Sequence, residues 1–94
     1  MSAEDERGIK FHFRATAGTG APALACPPAN RLFVRFFNEG PSPLRIGTPS
    51  GTVSTLGILL PSGAVLEDSY SDDDWWILAV GASSGTVSGY LVER

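Results

Sequence analysis

Apolar and polar residues alternate with a period of two in several short segments of the chain. In the first of these, Ile9, Phe11 and Phe13 are separated by single basic or imidazole side chains. A period of two places the apolar side chains on one face of a strand and the polar ones on the other. The pattern therefore predicts a half-buried strand over residues 9–14.

Residues 31–38 carry aromatic and branched side chains at nearly every position, so both faces of the segment are bulky. Such a segment is typical of a central strand. The turn residues at 38–42 are followed by Leu44–Gly47, which has the pattern of a returning strand. We expect these two strands to form a hairpin within one sheet.

The remaining apolar segments are short and are bounded by turn residues. They predict strands over 56–60, 64–68, 74–80 and 86–92, with a turn at Pro61–Gly63. Because the link at Gly81–Gly85 is short, we expect the last two strands to form an antiparallel hairpin.

Between residues 15 and 30 the chain is rich in small residues and contains three prolines and two glycines. Proline and glycine oppose helix interiors and central strands. This composition predicts a long surface loop, with a short edge segment near Leu24. Long loops in compact domains are often functional, so Leu24, Pro27 and Pro28 are candidate partner contacts.

About seven short strands with regularly spaced turns, and no segment with helical periodicity, favour a small antiparallel β-sandwich or barrel. The chain has 94 residues, of which 43% are hydrophobic, enough for one core. We expect a single domain over 9–94, preceded by a flexible arm at 1–8. Glu4 and Arg7 in this arm are further candidate contacts.

Composition bears on compartment and partners. The net charge is −3 and the basic residues are scattered, which argues against a nucleic-acid surface. No apolar stretch reaches the roughly 18 residues needed to cross a bilayer, and the polar, acidic start differs from a secretory signal. We expect synthesis in the cytoplasm and no membrane contact.

Candidate chemistry is sparse. Cys26 and His12 are the only cysteine and histidine, so one chain can form neither a disulfide nor a Cys/His zinc site. A buried thiol and an exposed strand histidine are the simpler interpretations. Asp72–Asp74 offers carboxylates suited to a hard cation such as Ca²⁺, but lacks EF-hand spacing. Alternatively, these acids form a solvated loop that guards an aromatic strand. We expect neither an enzyme nor a cofactor.

Trp75 and Trp76 are adjacent, so on a strand their side chains must point to opposite faces. Both could be core residues if the two faces are covered. Alternatively, one of them anchors a subunit interface, where tryptophan is enriched. A third use is stacking on a sugar. Both residues are candidate partner contacts.

The order of motifs resembles small virion proteins of tailed bacteriophages, above all capsid decoration or cement proteins. The features are residues 32–40 ending in an Asn-x-Gly turn, Leu44–Gly47, a Leu-Pro-x-Gly corner at 60–63, the tryptophan-bearing strand and residues 87–93. The resemblance covers about two thirds of the chain.

The resemblance implies a structural protein that sits on the major capsid protein or another virion protein and stiffens the head. Such proteins are often trimeric, so a homotrimer or another homo-oligomer is expected, with the virion as its location. Alternative functions are a head-tail or tail accessory protein, and a carbohydrate- or receptor-binding module.

Overall fold

The computed structural model describes residues 10–48, 57–69, 72–81 and 84–93. These residues form eight strands and no helix, and so no helix that could cross a membrane. The strands are β1 (Lys10–Gly18), β2 (Ala23–Cys26), β3 (Arg31–Asn38), β4 (Leu44–Gly47), β5 (Ile58–Leu60), β6 (Val65–Asp68), β7 (Trp75–Ala79) and β8 (Ser84–Glu93).

The eight strands form two four-stranded antiparallel sheets. The first sheet has the order β1-β8-β3-β6 and the second the order β2-β7-β4-β5. The pairing is nested along the chain: the first strand pairs with the last, the second with the seventh, the third with the sixth and the fourth with the fifth. This arrangement of eight strands in two sheets is the jelly-roll form of the β-sandwich.

The core lies between the inner faces of the two sheets. Val34 and Phe36 from the first sheet, and Leu44, Ile46 and Ile77 from the second, are fully buried. The Phe36 ring contacts the Trp75 ring across the interface, with centroids 5.4 Å apart. Aromatic contacts of this kind add to the stabilisation from apolar burial and link the two layers.

The structure confirms the all-β prediction and several strand bounds. β3 and β4 coincide with the predicted segments, and β7 lies within the predicted 74–80. Eight strands are present where about seven were predicted, because β2 lies inside the predicted loop at 15–30. The short edge segment expected near Leu24 is confirmed, since β2 is an edge strand of the second sheet. The turn at Pro61–Gly63 is also present, and Gly63 adopts the positive φ of 78° that the turn requires.

Both predicted hairpins are wrong. β3 belongs to the first sheet and β4 to the second, and β7 and β8 are likewise divided between the sheets. The links after β3 and β7 therefore carry the chain across the sandwich instead of back into the same sheet. Nested pairing requires these crossings, since β3 pairs with β6 and β7 pairs with β2, and neither pairs with the strand that follows it.

Half of the predicted long loop at 15–30 is strand. β1 continues to Gly18, and β2 occupies 23–26. Ala15 and Ala17 alternate with Thr16, so their small side chains fill the inner face while keeping the period of two. The turn at 19–22 and the segment 27–30 are the only parts of this stretch outside strands.

Asn38 organises the crossing after β3. Its buried side-chain amide donates hydrogen bonds of 2.9 Å to the carbonyl oxygens of Ser42 and Leu60, and its Oδ1 accepts from the Gly40 amide at 3.1 Å. A buried amide whose donors are both used fixes the loop geometry strongly. Asn38 thereby joins the β3–β4 link to the end of β5.

Candidate docking surface on the second sheet

The two adjacent tryptophans have different environments. Trp75 is 8% exposed and belongs to the core, whereas Trp76 on the opposite face is half-buried. The Trp75 indole nitrogen is buried and has no hydrogen-bond partner among the described residues. The alternative that both tryptophans are core residues is therefore wrong for Trp76. In the described part of the chain, no third layer covers the outer face of the second sheet.

Trp76 lies at the centre of a row of residues on this outer face. It is directly opposite Leu24 on β2 and Gly47 on β4. Residues opposite each other in an antiparallel pair share a face and contact through their side chains. Leu24 is 43% exposed, and Gly47 offers no side chain to cover the indole. The row therefore presents a leucine and a tryptophan to solvent.

The next row on the same face contains Leu78, Arg45 and Leu59, which are cross-strand neighbours on β7, β4 and β5, and Leu78 is buried at 9% exposure. Leu59 is 48% exposed, and the Arg45 guanidinium donates a hydrogen bond to the Gly57 carbonyl oxygen at 3.0 Å. The arginine is thus held within the surface. We call the five residues Leu24, Arg45, Leu59, Trp76 and Leu78 the outer-face cluster.

Hydrogen bonds fix the orientation of Trp76. Its indole N–H donates to Oδ2 of Asp74, and Oδ1 of the same carboxylate accepts from the Thr48 hydroxyl at 3.2 Å. The Trp76 hydrogen bond, with a smaller contribution from Thr48, lowers the pKa of Asp74 below its ordinary value. The carboxylate form is therefore the one that holds the indole in place.

The neighbouring acids also have structural partners. Arg31, which is 1% exposed, donates from its guanidinium to the carbonyl oxygens of Pro27 and Asp73. Its backbone amide donates to Oδ1 of Asp72 at 3.2 Å. Burying a charged guanidinium costs energy unless it is hydrogen-bonded, and the two loops supply bonds to its two terminal nitrogens, while its buried Nε has no partner among the described residues. Arg31 thereby clamps the 27–30 segment to the 72–74 segment.

These contacts bear on the cation alternative for Asp72–Asp74. The described residues contain no group of three or more side chains that could hold a metal ion. The three acids face different partners: Asp72 the Arg31 amide, Asp74 the Trp76 indole, and Asp73 the Arg31 guanidinium through its backbone oxygen. Residues 72–74 thus fix the 27–30 segment through Arg31 and hold the Trp76 indole. Neither a cation site nor a solvated loop describes these contacts.

The other candidate contacts are distributed unevenly. Pro27 and Pro28 are exposed and follow β2 directly, close in sequence to Leu24. Glu4 and Arg7, with the arm at 1–8, lie outside the described residues. Of the seven candidates, the structure brings Leu24 and Trp76 into one surface and places Trp75 behind it in the core.

Arg45 and Leu59 were not predicted as contact residues. Their sequence signals were visible, since Leu59 adjoins Leu60 and Arg45 lies between Leu44 and Ile46. A period of two assigns Leu59 and Leu60 to opposite faces, so one of the two leucines had to be exposed. Which sheet they belong to, and hence their proximity to Trp76, depends on the nested pairing.

Cys26 and His12 have the environments that were expected. The Cys26 side chain is fully buried, and this burial raises the pKa of its thiol, an effect that Arg31 partly offsets. His12 is exposed on the outer face of the first sheet, where its ring lies 5.8 Å from that of Tyr90.

No family model and no curated protein matches the chain. Among solved structures, it is similar to an HTH_3 family transcriptional regulator from Vibrio cholerae, with a TM-score of 0.62 and 11% identity over 100% of this chain and 48% of that one. This chain thus spans about half the length of the regulator.

A second similar structure comes from Bacillus endospore appendages, described as a novel family of disulfide-linked pili. The TM-score is 0.50, with 17% identity over 92% of this chain and 87% of the pilus chain. At such identities the two likenesses show a common fold. They leave the function to be argued from the surface of this chain.

Proposed function

We propose that this chain is a non-enzymatic structural subunit that binds another protein through the outer-face cluster. Its most specific form is a capsid decoration protein of a tailed bacteriophage, whose partner is the major capsid protein. The observation that carries the proposal is the pairing of the exposed Leu24 with the half-buried Trp76, beside the exposed Leu59, on the outer face of the second sheet. Contiguous exposed apolar surface on a small domain marks an interaction site.

The composition of the cluster fits a protein partner. Tryptophan and arginine dominate the residues that contribute most to protein interfaces, and apolar neighbours around them exclude water. Trp76 and Arg45 are each held by a hydrogen bond within the chain, so little side-chain entropy is lost on binding. The cluster is therefore organised before the partner arrives.

The fold is compatible with this role without requiring it. Jelly rolls occur in viral capsid proteins and lectins alike. The similar pilus chain comes from an endospore appendage. Besides viral capsids, a similar fold therefore occurs in another assembly. The bacteriophage part of the proposal rests on the order of motifs in the sequence.

The proposal is tested with capsids assembled from the major capsid protein of the same genome and lacking this chain. Purified chain is mixed with these capsids, and the bound fraction is measured by co-sedimentation across a concentration series. Trp76→Ala and Leu24→Ala should each weaken binding at least tenfold. Phe37→Ala removes a more exposed aromatic side chain, on the outer face of the other sheet, and should change binding less than twofold.

Equal binding by the Trp76→Ala chain and the unaltered chain would contradict the proposed surface. A specific observation also favours sugar binding as a second candidate, since the half-buried Trp76 lies opposite Gly47, which has no side chain. A glycan-array signal that is lost in Trp76→Ala, together with no capsid binding, would replace the capsid proposal with this one.

A further inference from the structure

The two edges of the first sheet differ in charge. β1 is one edge strand and β6 is the other. On the outer face, β1 presents Lys10, His12 and Arg14, whereas β6 presents Glu67. The chain as a whole is acidic, with a net charge of −3, so these basic side chains on one edge are a local feature. Of the two cations, Arg14 is already paired with Glu39 at 2.7 Å, so Lys10 and His12 contribute most to the difference between the edges.

These residues lie in matching rows across the sheet. His12 is opposite Tyr90, Tyr90 is opposite Arg35, and Arg35 is opposite Glu67. One row therefore begins with His12 at the β1 edge and ends with Glu67 at the β6 edge. The Lys10 ammonium lies 4.5 Å from the centre of the Tyr90 ring, which keeps this cation close to the same row.

Both edges have unused pairing capacity. In the part of the chain that the structure describes, β1 pairs only with β8 and β6 pairs only with β3. An edge strand presents a row of backbone N–H and C=O groups that can pair with another chain. Each edge also exposes an apolar side chain: Phe11 on β1 is 46% exposed and Val65 on β6 is 44% exposed.

The strand directions allow one sheet to continue into the next. Every neighbouring pair in the sheet is antiparallel, so β6 runs opposite to β1. If a second copy is placed beside the first in the same orientation, its β1 lies antiparallel to β6 of the first copy. The alternation of strand directions then continues from one copy into the next. In this arrangement Glu67 of one copy lies opposite His12 of the next, with Lys10 and Arg14 diagonally adjacent.

We propose that the chain self-associates head to tail, with β6 of one copy pairing with β1 of the next and Glu67 facing the basic side chains of that strand. Charge gives the pairing its direction. Two β1 edges repel each other, and only unlike edges attract, so a two-fold pairing of identical β1 edges is disfavoured. Head-to-tail contacts of this kind form rings or fibres. The outer-face cluster belongs to the other sheet and stays available for a partner.

The mass of the purified full-length chain is measured by sedimentation equilibrium over a hundredfold concentration range at low and high salt. We expect reversible association that weakens at high salt, because exposed charge pairs are screened. Glu67→Lys should weaken association at least fivefold. Asp73→Lys makes the same charge change at an exposed residue on the loop before β7, off both edge strands, and should change it less than twofold.

A charge reversal on both edges provides the rescue. Lys10→Glu and His12→Glu added to Glu67→Lys in one chain should restore association to within about threefold of the unaltered chain. Circular dichroism melts of each variant establish that it is folded. A monomer throughout the range, or equal association of Glu67→Lys and Asp73→Lys, would overturn the proposal. Loss of association in Trp76→Ala with none in Glu67→Lys would instead assign self-association to the second sheet.

Discussion

Leu24 and Trp76 lie directly opposite each other on β2 and β7, and together they expose apolar surface on the outer face of the second sheet. They are 52 residues apart in the sequence and come together because the jelly roll pairs its second strand with its seventh. Trp75, the neighbour of Trp76 in the chain, contacts Phe36 in the core. One tryptophan thus stabilises the fold while the next is available for binding.

This division predicts unequal effects on stability. Trp75→Ala should lower the free energy of unfolding by about 3–5 kcal/mol, because it leaves a cavity in the core. Trp76→Ala should lower it by about 1 kcal/mol or less, since the residue is half-buried on an open face. Urea denaturation followed by circular dichroism measures both. Equal losses would show that Trp76 is as much a core residue as Trp75.

The carboxylate of Asp74 should titrate differently when its indole partner is removed. In the folded protein its pKa lies below the ordinary value, so its contribution to stability is complete above the unfolded pKa and is lost as the pH falls through the folded pKa. In Trp76→Phe the pKa of Asp74 should rise towards the ordinary value. Side-chain carboxyl NMR titration measures the change, and Phe37→Leu is a control that leaves Asp74 untouched. An unchanged pKa in Trp76→Phe would refute the hydrogen bond.

Asn38 should tolerate even an isosteric replacement poorly. In Asn38→Asp the two carbonyl oxygens of Ser42 and Leu60 would face a carboxylate that cannot donate, so we expect a loss of about 2 kcal/mol or more at neutral pH. Burial would raise the pKa of the new acid, so the loss should shrink as the pH falls and the acid becomes protonated. Thermal melts across pH measure this. Asn30→Asp at an exposed position should have little effect at any pH.

The thiol of Cys26 should be unreactive in the folded protein. Its side chain is fully buried, and burial raises its pKa, so both access and the thiolate fraction are reduced. Ellman's reagent should modify the native chain at least a hundredfold more slowly than the urea-unfolded chain. Rapid modification under native conditions would show that the β2 edge opens readily.

Local patterns predicted those elements that are rich in large apolar side chains and are bounded by turn residues. β3, β4 and β7 are such segments and were located correctly, and the opposed faces of Trp75 and Trp76 follow from the period of two alone. The second half of β1 was missed because Ala15 and Ala17 have small side chains that resemble loop composition, although they fill the inner face.

Sheet membership could not be read from local patterns. Turn residues after β3 and β7 show that the chain changes direction, but not whether it returns in the same sheet or crosses to the other one. The burial of Arg31 was equally inaccessible, because its hydrogen-bond acceptors come from Pro27 and from Asp73 on a distant loop. The outer-face cluster depends on both the sheet order and the burial of Arg31. The sheet order puts β7 between β2 and β4, and Arg31 holds the loop whose Asp74 orients Trp76.

The most direct test of the proposed docking surface is a thiol footprint on capsids. Single cysteines are placed by Leu24→Cys or Phe37→Cys in a Cys26→Ala background, and the labelling rate of each is compared between the free and the capsid-bound chain. If the outer-face cluster binds the capsid, the thiol at position 24 becomes at least tenfold less reactive on the capsid, while the thiol at position 37 keeps its labelling rate. Protection at position 37 with none at position 24 would contradict the proposed docking surface.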